Sequence, residues 1–415
     1  MLEPASLGMI SGATLVGGAG MRAILALRSL RRRRSDVLDR TERRRADFAN
    51  QLQAALQWAR ASQPAIKAWP GTRPFRVSAV VDESVDCRSY YLAPEDGRPL
   101  PRFEPGQYLV FHLPSGDPLR PLVRCYSLSE RPREDFYRVT VRRVAGHGTA
   151  AAPGRGSSYF HREVLPGSRL EADAPQASFF LDPTDRTPVV LVGAGIGVTP
   201  LVSMASALVH ARDERAVYFF AGFRNGREHP FRARLAEFDA AAANLHLDVS
   251  YSQPLPGELI GRDFDHRGHL AIDRLRRVLP SSNFHYYVCG PAAMMQAVVP
   301  ALLDWGVPPS HVRYEAFGPA TVLRRSSGAA APCTVEFARS GRSLQWSGEE
   351  SSLLELAERH GVRLESGCRA GSCGQCRLMV AAGRVAHAKQ PGVQLVEGEC
   401  LACIATPQGD VVVEA

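Results

Sequence analysis

The residues with the most specific chemistry in this 415-residue chain are four cysteines near its end, Cys368, Cys373, Cys376 and Cys403. The first three lie in Cys368-Arg-Ala-Gly-Ser-Cys373-Gly-Gln-Cys376, and the fourth follows in Cys400-Leu-Ala-Cys403. Ferric iron bridged by sulfide needs four thiolates converging on a small volume, and C-x4-C-x2-C…C is the spacing of 2Fe–2S ligand sets. Three ligands from one loop require a chain that folds tightly round them. Gly367, Gly371 and Gly374 allow unusual dihedrals and close backbone approach. Ser366, Ala370 and Ser372 are small, which leaves backbone N–H groups free to point at sulfur and tune the potential. A zinc reading competes, because Cys373/Cys376 and Cys400/Cys403 are both C-x2-C pairs. Cys400 also competes with Cys403 as the fourth ligand; the apolar Ile404-Ala405 turn favours Cys403.

Two further runs could do chemistry. In Arg124-Cys125-Tyr126-Ser127 the arginine and tyrosine occupy alternate strand positions and so share a sheet face. The arginine can grip a phosphate, the tyrosine ring can stack on a flat heterocycle, and the serine can hydrogen-bond its edge. Taken alone, such a run also fits an ordinary surface strand. The second run is Gly193-Ala-Gly195-Ile-Gly197-Val-Thr199-Pro200, between the apolar strand Pro188–Val192 and a helical run over 201–212. Strand, glycine turn and helix is the context of a dinucleotide loop. Thr199 is expected at the N-cap with Pro200 in the first turn, and the glycines admit a pyrophosphate at the positive helix end. The spacing is not G-x-G-x-x-G, and no acid about 20 residues on is clearly poised to hold a ribose.

The elements that must position these runs divide the chain. Residues 1–69 form a basic, partly helical appendage, 70–183 short alternating strands as in a small antiparallel β-barrel, and 184–320 alternating strands and helices as in a parallel α/β sheet. Residues 321–332 read as a linker. In 333–415 a hairpin around Gly341 precedes a short helix over 351–360 stopped by Gly361, the order of a β-grasp domain. A span of 415 residues suits about two to four domains, and 45% hydrophobic with 22% charged residues is ordinary globular protein.

The formal net charge of +8 is misleading. Residues 1–69 hold 12 Lys/Arg against 5 Asp/Glu, so the remainder is near neutral, which argues against nucleic-acid binding. Nine cysteines with a metal-site role for four point to a reducing, cytoplasmic setting. The apolar run Leu7–Met21 is 15 residues with 5 glycines, short of the roughly 20 a spanning helix needs. Arg31–Arg34 follow it, so weak membrane contact through the N-terminus stands beside a soluble reading. An amphipathic helix is expected over 37–59. His266 and His269 lie in a Gly/Arg-rich loop without a carboxylate partner, and no Ser–His–Asp set has an elbow motif.

Taken with Cys289-Gly290-Pro291, these motifs resemble, in order, the ferredoxin–NADP reductase superfamily followed by a plant-type ferredoxin domain. The resemblance covers about residues 73–415. It is similar to the reductase components of bacterial oxygenases, of the phthalate dioxygenase reductase and phenylacetyl-CoA epoxygenase reductase types. It implies an oxidoreductase that carries electrons from NADPH or NADH through FAD and a 2Fe–2S cluster to a protein acceptor such as an oxygenase, desaturase or haem monooxygenase. Direct reduction of a small acceptor, or a redox-sensing role with little turnover, are the alternatives.

The resemblance implies roles residue by residue. Arg124 holds flavin phosphate, Tyr126 packs on the isoalloxazine and Ser127 bonds near its reactive nitrogen. Gly156 and Ser157, after Gly146-His-Gly148-Thr, match a pyrophosphate turn that favours FAD over FMN. Gly193, Gly195, Gly197 and Thr199 cradle the nicotinamide dinucleotide, and Cys289 lies beside its reacting ring or is a buried small hydrophobe. Phe317 in Glu315-Ala-Phe317-Gly318 approaches the flavin or is plain core. Arg224 reads a 2′-phosphate, favouring NADPH, or is a solvated surface group. Hydride transfer needs stacked rings with atoms about 3–3.5 Å apart rather than a protein nucleophile, so the absence of a triad is consistent.

Overall fold

The computed structural model describes residues 68–117, 121–146, 153–177, 179–182, 184–318, 322 and 332–415, all within one compact unit, Ala61–Ala415. The appendage with its apolar run and expected helix, most of the linker, and His147, Gly148 and Thr149 lie outside the described residues. Among the described residues no helix is long and apolar enough to cross a membrane.

The expected three-part fold class is what is found. The first sheet is antiparallel: β1 (Thr72–Ser84), β2 (Cys87–Pro94), β3 (Tyr108–Leu113), β4 (Leu122–Ser127), β5 (Tyr137–Arg142) and β6 (Arg169–Asp173) lie in the order β4-β3-β6-β1-β2-β5. A bridge between Leu128 and Val139 ties the two edges, β4 and β5, into a barrel. Alternation explains its core: Phe75 and Val77 face in, while Arg76 and Ser78 face out. Helix α1 (Arg155–Glu163) plugs the barrel with Phe160, whose ring meets Tyr90, Phe111 and Tyr126 edge-on at 4.9–5.4 Å.

The second sheet is wholly parallel: β7 (Val189–Ala194), β8 (Val217–Phe223), β9 (Leu245–Tyr251), β10 (His266–Arg267), β11 (His285–Cys289) and β12 (Val312–Glu315), in the order β10-β9-β8-β7-β11-β12. The continuous apolar run of β7 has a physical reason. Val189 and Leu191 enter one hydrophobic core, and Val190 and Val192 enter a second on the opposite face. Helices α2 (Val198–Ala211), α3 (Arg232–Ala241), α4 (Ile272–Val278) and α5 (Ala292–Asp304) complete the layers. Strand order reverses at β7, so the carboxyl ends of β7 and β11 form the crevice where open α/β sheets bind ligands.

Glu130 fastens the barrel to this layer. Its backbone oxygen accepts from Ser203 (2.7 Å), its carboxylate accepts from Ser206 (2.7 Å), and Arg138 and Arg234 each approach to 3.5 Å.

The third sheet is mixed, β14-β13-β19-β15-β17, from β13 (Cys333–Phe337), β14 (Arg342–Trp346), β15 (Arg377–Ala382), β17 (Glu399–Leu401) and β19 (Val411–Val413); β16 (Val385–His387) pairs with β18 (Ala405–Pro407). The hairpin turns at Gly341 with φ 62°. Helix α6 (Leu353–Arg359) is capped by Ser352, whose hydroxyl accepts from Glu355 N, and it buries Leu353, Leu354, Leu356 and Ala357. The core closes on Trp346, Ile404, Val411 and Val413.

Two buried histidines give the parallel layer an acid limit. His229 stacks on Phe223 at 3.9 Å and bonds the Tyr251 hydroxyl at 2.8 Å, and burial pulls its pKa from 6.5 down to about 3. Burial likewise pulls His285 down to about 4 although Asp185 lies 3.1 Å away. The unfolded chain therefore binds more protons below about pH 6.5, and stability falls as pH drops from there towards 4. Melting temperature should decline over that window. His229→Phe should flatten its share of the decline, and an equally steep limb in the variant would refute the assignment.

Candidate functional site

Strand β4 runs antiparallel to β3 with Phe111 opposite Arg124, Leu109 opposite Tyr126 and Tyr108 opposite Ser127. Arg124 and Tyr126 thus share the face that carries Phe111, and Tyr126 lies edge-on to Phe160. Gly156 in the first turn of α1 sits directly over this pair. A Cβ there would be 2.7 Å from Arg124 Cγ and 2.9 Å from Tyr126 Oη. Ser157 is buried, and its hydroxyl is used inside the protein: it donates to Gly154 O at 3.0 Å and accepts from Val144 N at 3.1 Å.

Among the described residues Arg124 has no carboxylate partner; its Nη1 donates to Val123 O. Burial lowers its pKa, and the nearby Arg369 and Arg155 push the same way. Cationic groups gathered without a neutralising carboxylate on Arg124 fit a bound phosphate. Arg369 was not singled out in the sequence. It comes from the cysteine loop, takes a left-handed φ of 56°, and pairs with Glu358.

The glycine loop folds differently in detail from the expectation. A 3₁₀ turn over Gly195–Gly197 leads into α2, which begins at Val198. Thr199 is therefore inside the helix and is not its cap; its hydroxyl donates to Ile196 O at 2.9 Å. The glycines also do separate jobs. A Cβ at Gly193 would meet Leu201 at 2.7 Å, and one at Gly197 would meet Cys289 O at 2.4 Å, so both are needed for packing. Gly195, with φ 54°, is the open one, its nearest neighbour being Arg142 at 3.6 Å.

Cys289 ends β11, opposite Gly193 of β7 and Glu315 of β12. It is fully buried, and burial pushes its thiol well up, so it is a neutral group. Glu315, not singled out as a site residue in the sequence, is buried beside it. One carboxylate oxygen has no hydrogen-bond partner among the described residues, and Ser127 of the barrel lies near the carboxyl. Burial raises its pKa to about 8. Ser127, Cys289 and Glu315 thus come together from both layers, and an orphaned buried carboxyl oxygen fits a polar ligand edge. Phe317 is 38% exposed, which overturns the plain-core alternative. Arg224, just past β8, is exposed; it donates to Gln253 at 2.9 Å and lies 3.6 Å from Glu228.

In the cysteine loop five backbone N–H groups donate to sulfur. Ala370, Ser372 and Cys373 reach Cys368 Sγ at 3.2–3.4 Å, Cys368 reaches Cys373 Sγ at 3.2 Å, and Gly371 reaches Cys403 Sγ at 3.2 Å. Gly371 (φ 74°) and Gly374 (φ 76°) supply the left-handed turns, while Gly367 allows close approach to Cys373 Sγ. Backbone-to-sulfur bonds tie Cys368 to Cys373, and Cys376 and Cys403 sit in one core, so the thiols fall into two pairs. Among the described residues no three His, Cys, Asp or Glu side chains gather as a single-ion site needs. Two thiol pairs ringed by N–H donors suit two irons better than one zinc. Cys400 is fully buried in β17 opposite Leu378, and it is Cys403 that takes the loop N–H.

This barrel, parallel layer and thiol loop define a nicotinamide-dependent oxidoreductase with an iron–sulfur domain. Residues 191–299 match the oxidoreductase NAD-binding domain family, and residues 335–408 match the 2Fe-2S iron-sulfur cluster binding domain family. The chain belongs to the ferredoxin–NADP reductase superfamily and carries a C-terminal 2Fe–2S ferredoxin domain.

A flavohemoprotein of Rhodopirellula baltica is 38% identical over 276 residues, covering 66% of this chain and 67% of the relative. The chain spans 62–67% of the length of seven such flavohemoproteins. Among solved structures, the FAD/NAD binding domain of a Vibrio cholerae nitric oxide dioxygenase is 31% identical (TM-score 0.53), covering 60% of this chain and 99% of that one. Phthalate dioxygenase reductase, described as modular for electron transfer from pyridine nucleotides to 2Fe–2S, is 25% identical (TM-score 0.53), covering 83% and 98%.

Proposed function

We propose that the chain is the reductase of an electron-transfer system, taking electrons from NADPH or NADH and delivering them singly to a protein acceptor such as an oxygenase, desaturase or haem monooxygenase in the cytoplasm. In this reading residues 70–183 hold FAD, 184–320 bind the nicotinamide and 333–415 hold the cluster. When bound, the flavin takes a hydride as an electron pair and the cluster passes electrons one at a time. The observation that carries the reading is strand β4: Arg124 and Tyr126 face the α1 side, while Cys125 between them packs with Cys368 and Cys373 of the thiol loop.

The placement of each residue supports a role in this reading. Arg124 holds flavin phosphate, Tyr126 packs on the isoalloxazine, and Gly156 keeps the approach to both clear, with Ser157 bracing the turn. Gly195, at the crevice, faces the dinucleotide, with Gly193, Gly197 and Thr199 shaping the loop behind it. Cys289 packs beside the nicotinamide, Phe317 covers the flavin, and Ser127 with Glu315 bonds the reacting edges. Arg224 would receive a 2′-phosphate. Cys368, Cys373, Cys376 and Cys403 hold the irons.

Purified protein should show flavin absorption and about two irons per chain, and it should reduce ferricyanide continuously with NADPH or NADH. A colourless, zinc-loaded protein would overturn the proposal, and one that is reduced once and stops would mark a sensor.

A further inference from the structure

The outer face of the β3–β4 pair is built against the thiol loop. Antiparallel register puts Val123, Cys125 and Ser127 on one face with Tyr108 and Val110. Tyr108, Val110 and Cys373 form a small buried cluster of their own, with Val123, Cys125 and Cys368 packed on it. A Cβ on Gly367 would stand 3.3 Å from Val123, so the loop rests on this face. Two hydrogen donors of the barrel point into the contact. The Cys125 side chain packs on this cluster together with Cys368 and Cys373. Tyr108 is only 3% exposed, and its hydroxyl has no hydrogen-bond partner among the described residues. Its side chain packs in this cluster with Cys373, and Cys125 and Cys368 lie against it. A buried, unspent O–H is costly unless something accepts from it.

We propose that Tyr108 and Cys125, both from the barrel, donate hydrogen bonds to the sulfurs at the Cys368/Cys373 end of the cluster and raise its reduction potential. The inference rests on the assignment of the four cysteines to a 2Fe–2S cluster. The physical reason is charge. Reduction adds one electron and one negative charge to the sulfur-rich group, and no bond is made or broken, since the O–H and S–H protons stay on their donors. Donors aimed at sulfur stabilise the more negative form, and more strongly where water is excluded. The ligand loop already supplies its own N–H donors, so the barrel's contribution sets the potential reached when the two parts are in contact. It favours the downhill passage of an electron from the barrel.

The test is the cluster's potential in the full-length holoprotein, followed by electron spin resonance during a dithionite titration. Tyr108→Phe keeps the ring and removes only the O–H. It should lower the potential by about tenfold in the one-electron equilibrium, or about 59 mV. Cys125→Ala should fall in the same direction, whereas Cys125→Ser, which keeps a donor, should stay at or above the wild-type value. If Cys125→Ala fails to retain iron, the comparison of Cys125→Ser with Tyr108→Phe decides. Unchanged potentials in Tyr108→Phe and the Cys125 variants, with iron retained, overturn the proposal. Wild-type protein without a reducible cluster would instead overturn the cysteine assignment beneath it.

Discussion

Cys376→Ala should abolish one-electron delivery while leaving reduction of ferricyanide by NAD(P)H close to wild type. Cys376 is nearly fully buried and shares one core with Cys403. Cys373 would be a poorer choice, because Cys125 lies beside it and could substitute as a ligand. Loss of one of four thiolates should cost iron, and cytochrome c reduction should fall by more than about 100-fold, the upper range for losing even a supporting group at a metal site. In the proposed reading the hydride step uses Ser127, Cys289 and Glu315, which belong to the barrel and the parallel layer, where strand pairing sets the register of all three. Ferricyanide can draw electrons directly from the barrel. Equal loss of both activities would refute a linear relay with the cluster last, and retention of both would remove the cluster from the path.

The parts of the molecule legible in the sequence are those whose chemistry or burial is written locally. The cysteine spacing specifies a loop because three thiolates must converge within nine residues. Strand β7 was readable because a strand buried on both faces is apolar at every position, and the hairpin at Gly341 because alternation resumes across a left-handed turn. What escaped depends on neighbours far along the chain. Glu315 reads as an ordinary strand-end acid until β12 lies beside Cys289 and Ser127 reaches across from the barrel. Tyr108 and Cys125 read as plain strand residues until the thiol loop, more than two hundred positions later, packs on their face. Arg369 falls between two ligands, where the spacing draws attention to the cysteines. Thr199 was misplaced as a cap because the 3₁₀ turn over Gly195–Gly197 winds the chain before α2 and carries Thr199 past the helix start. Glycine in that loop signals packing as much as ligand approach, and only the structure separates Gly195 from Gly193 and Gly197.

Arg124→Ala should strip flavin from the protein. Arg124 is largely withdrawn from solvent and unmatched by any carboxylate among the described residues, so its charge is stabilised only if an anion arrives. Truncating one partner of a buried charge-assisted contact costs about 2–5 kcal/mol, equivalent to a loosening of roughly 30- to several-thousand-fold in Kd. The side chain also has a packing role, since its Cγ lies under Gly156 at the start of α1. Arg124→Lys separates the two effects: it keeps an aliphatic stem beneath the glycine and one positive charge, but loses the planar fork that grips two phosphate oxygens. Flavin retention should therefore rank wild type above Lys above Ala, measured as bound flavin per chain after gel filtration, with melting temperature of the Lys variant near wild type. If Lys and Ala release flavin equally, the fork dominates and the charge alone does little. An Ala variant that stays fully yellow would show that Arg124 holds no phosphate.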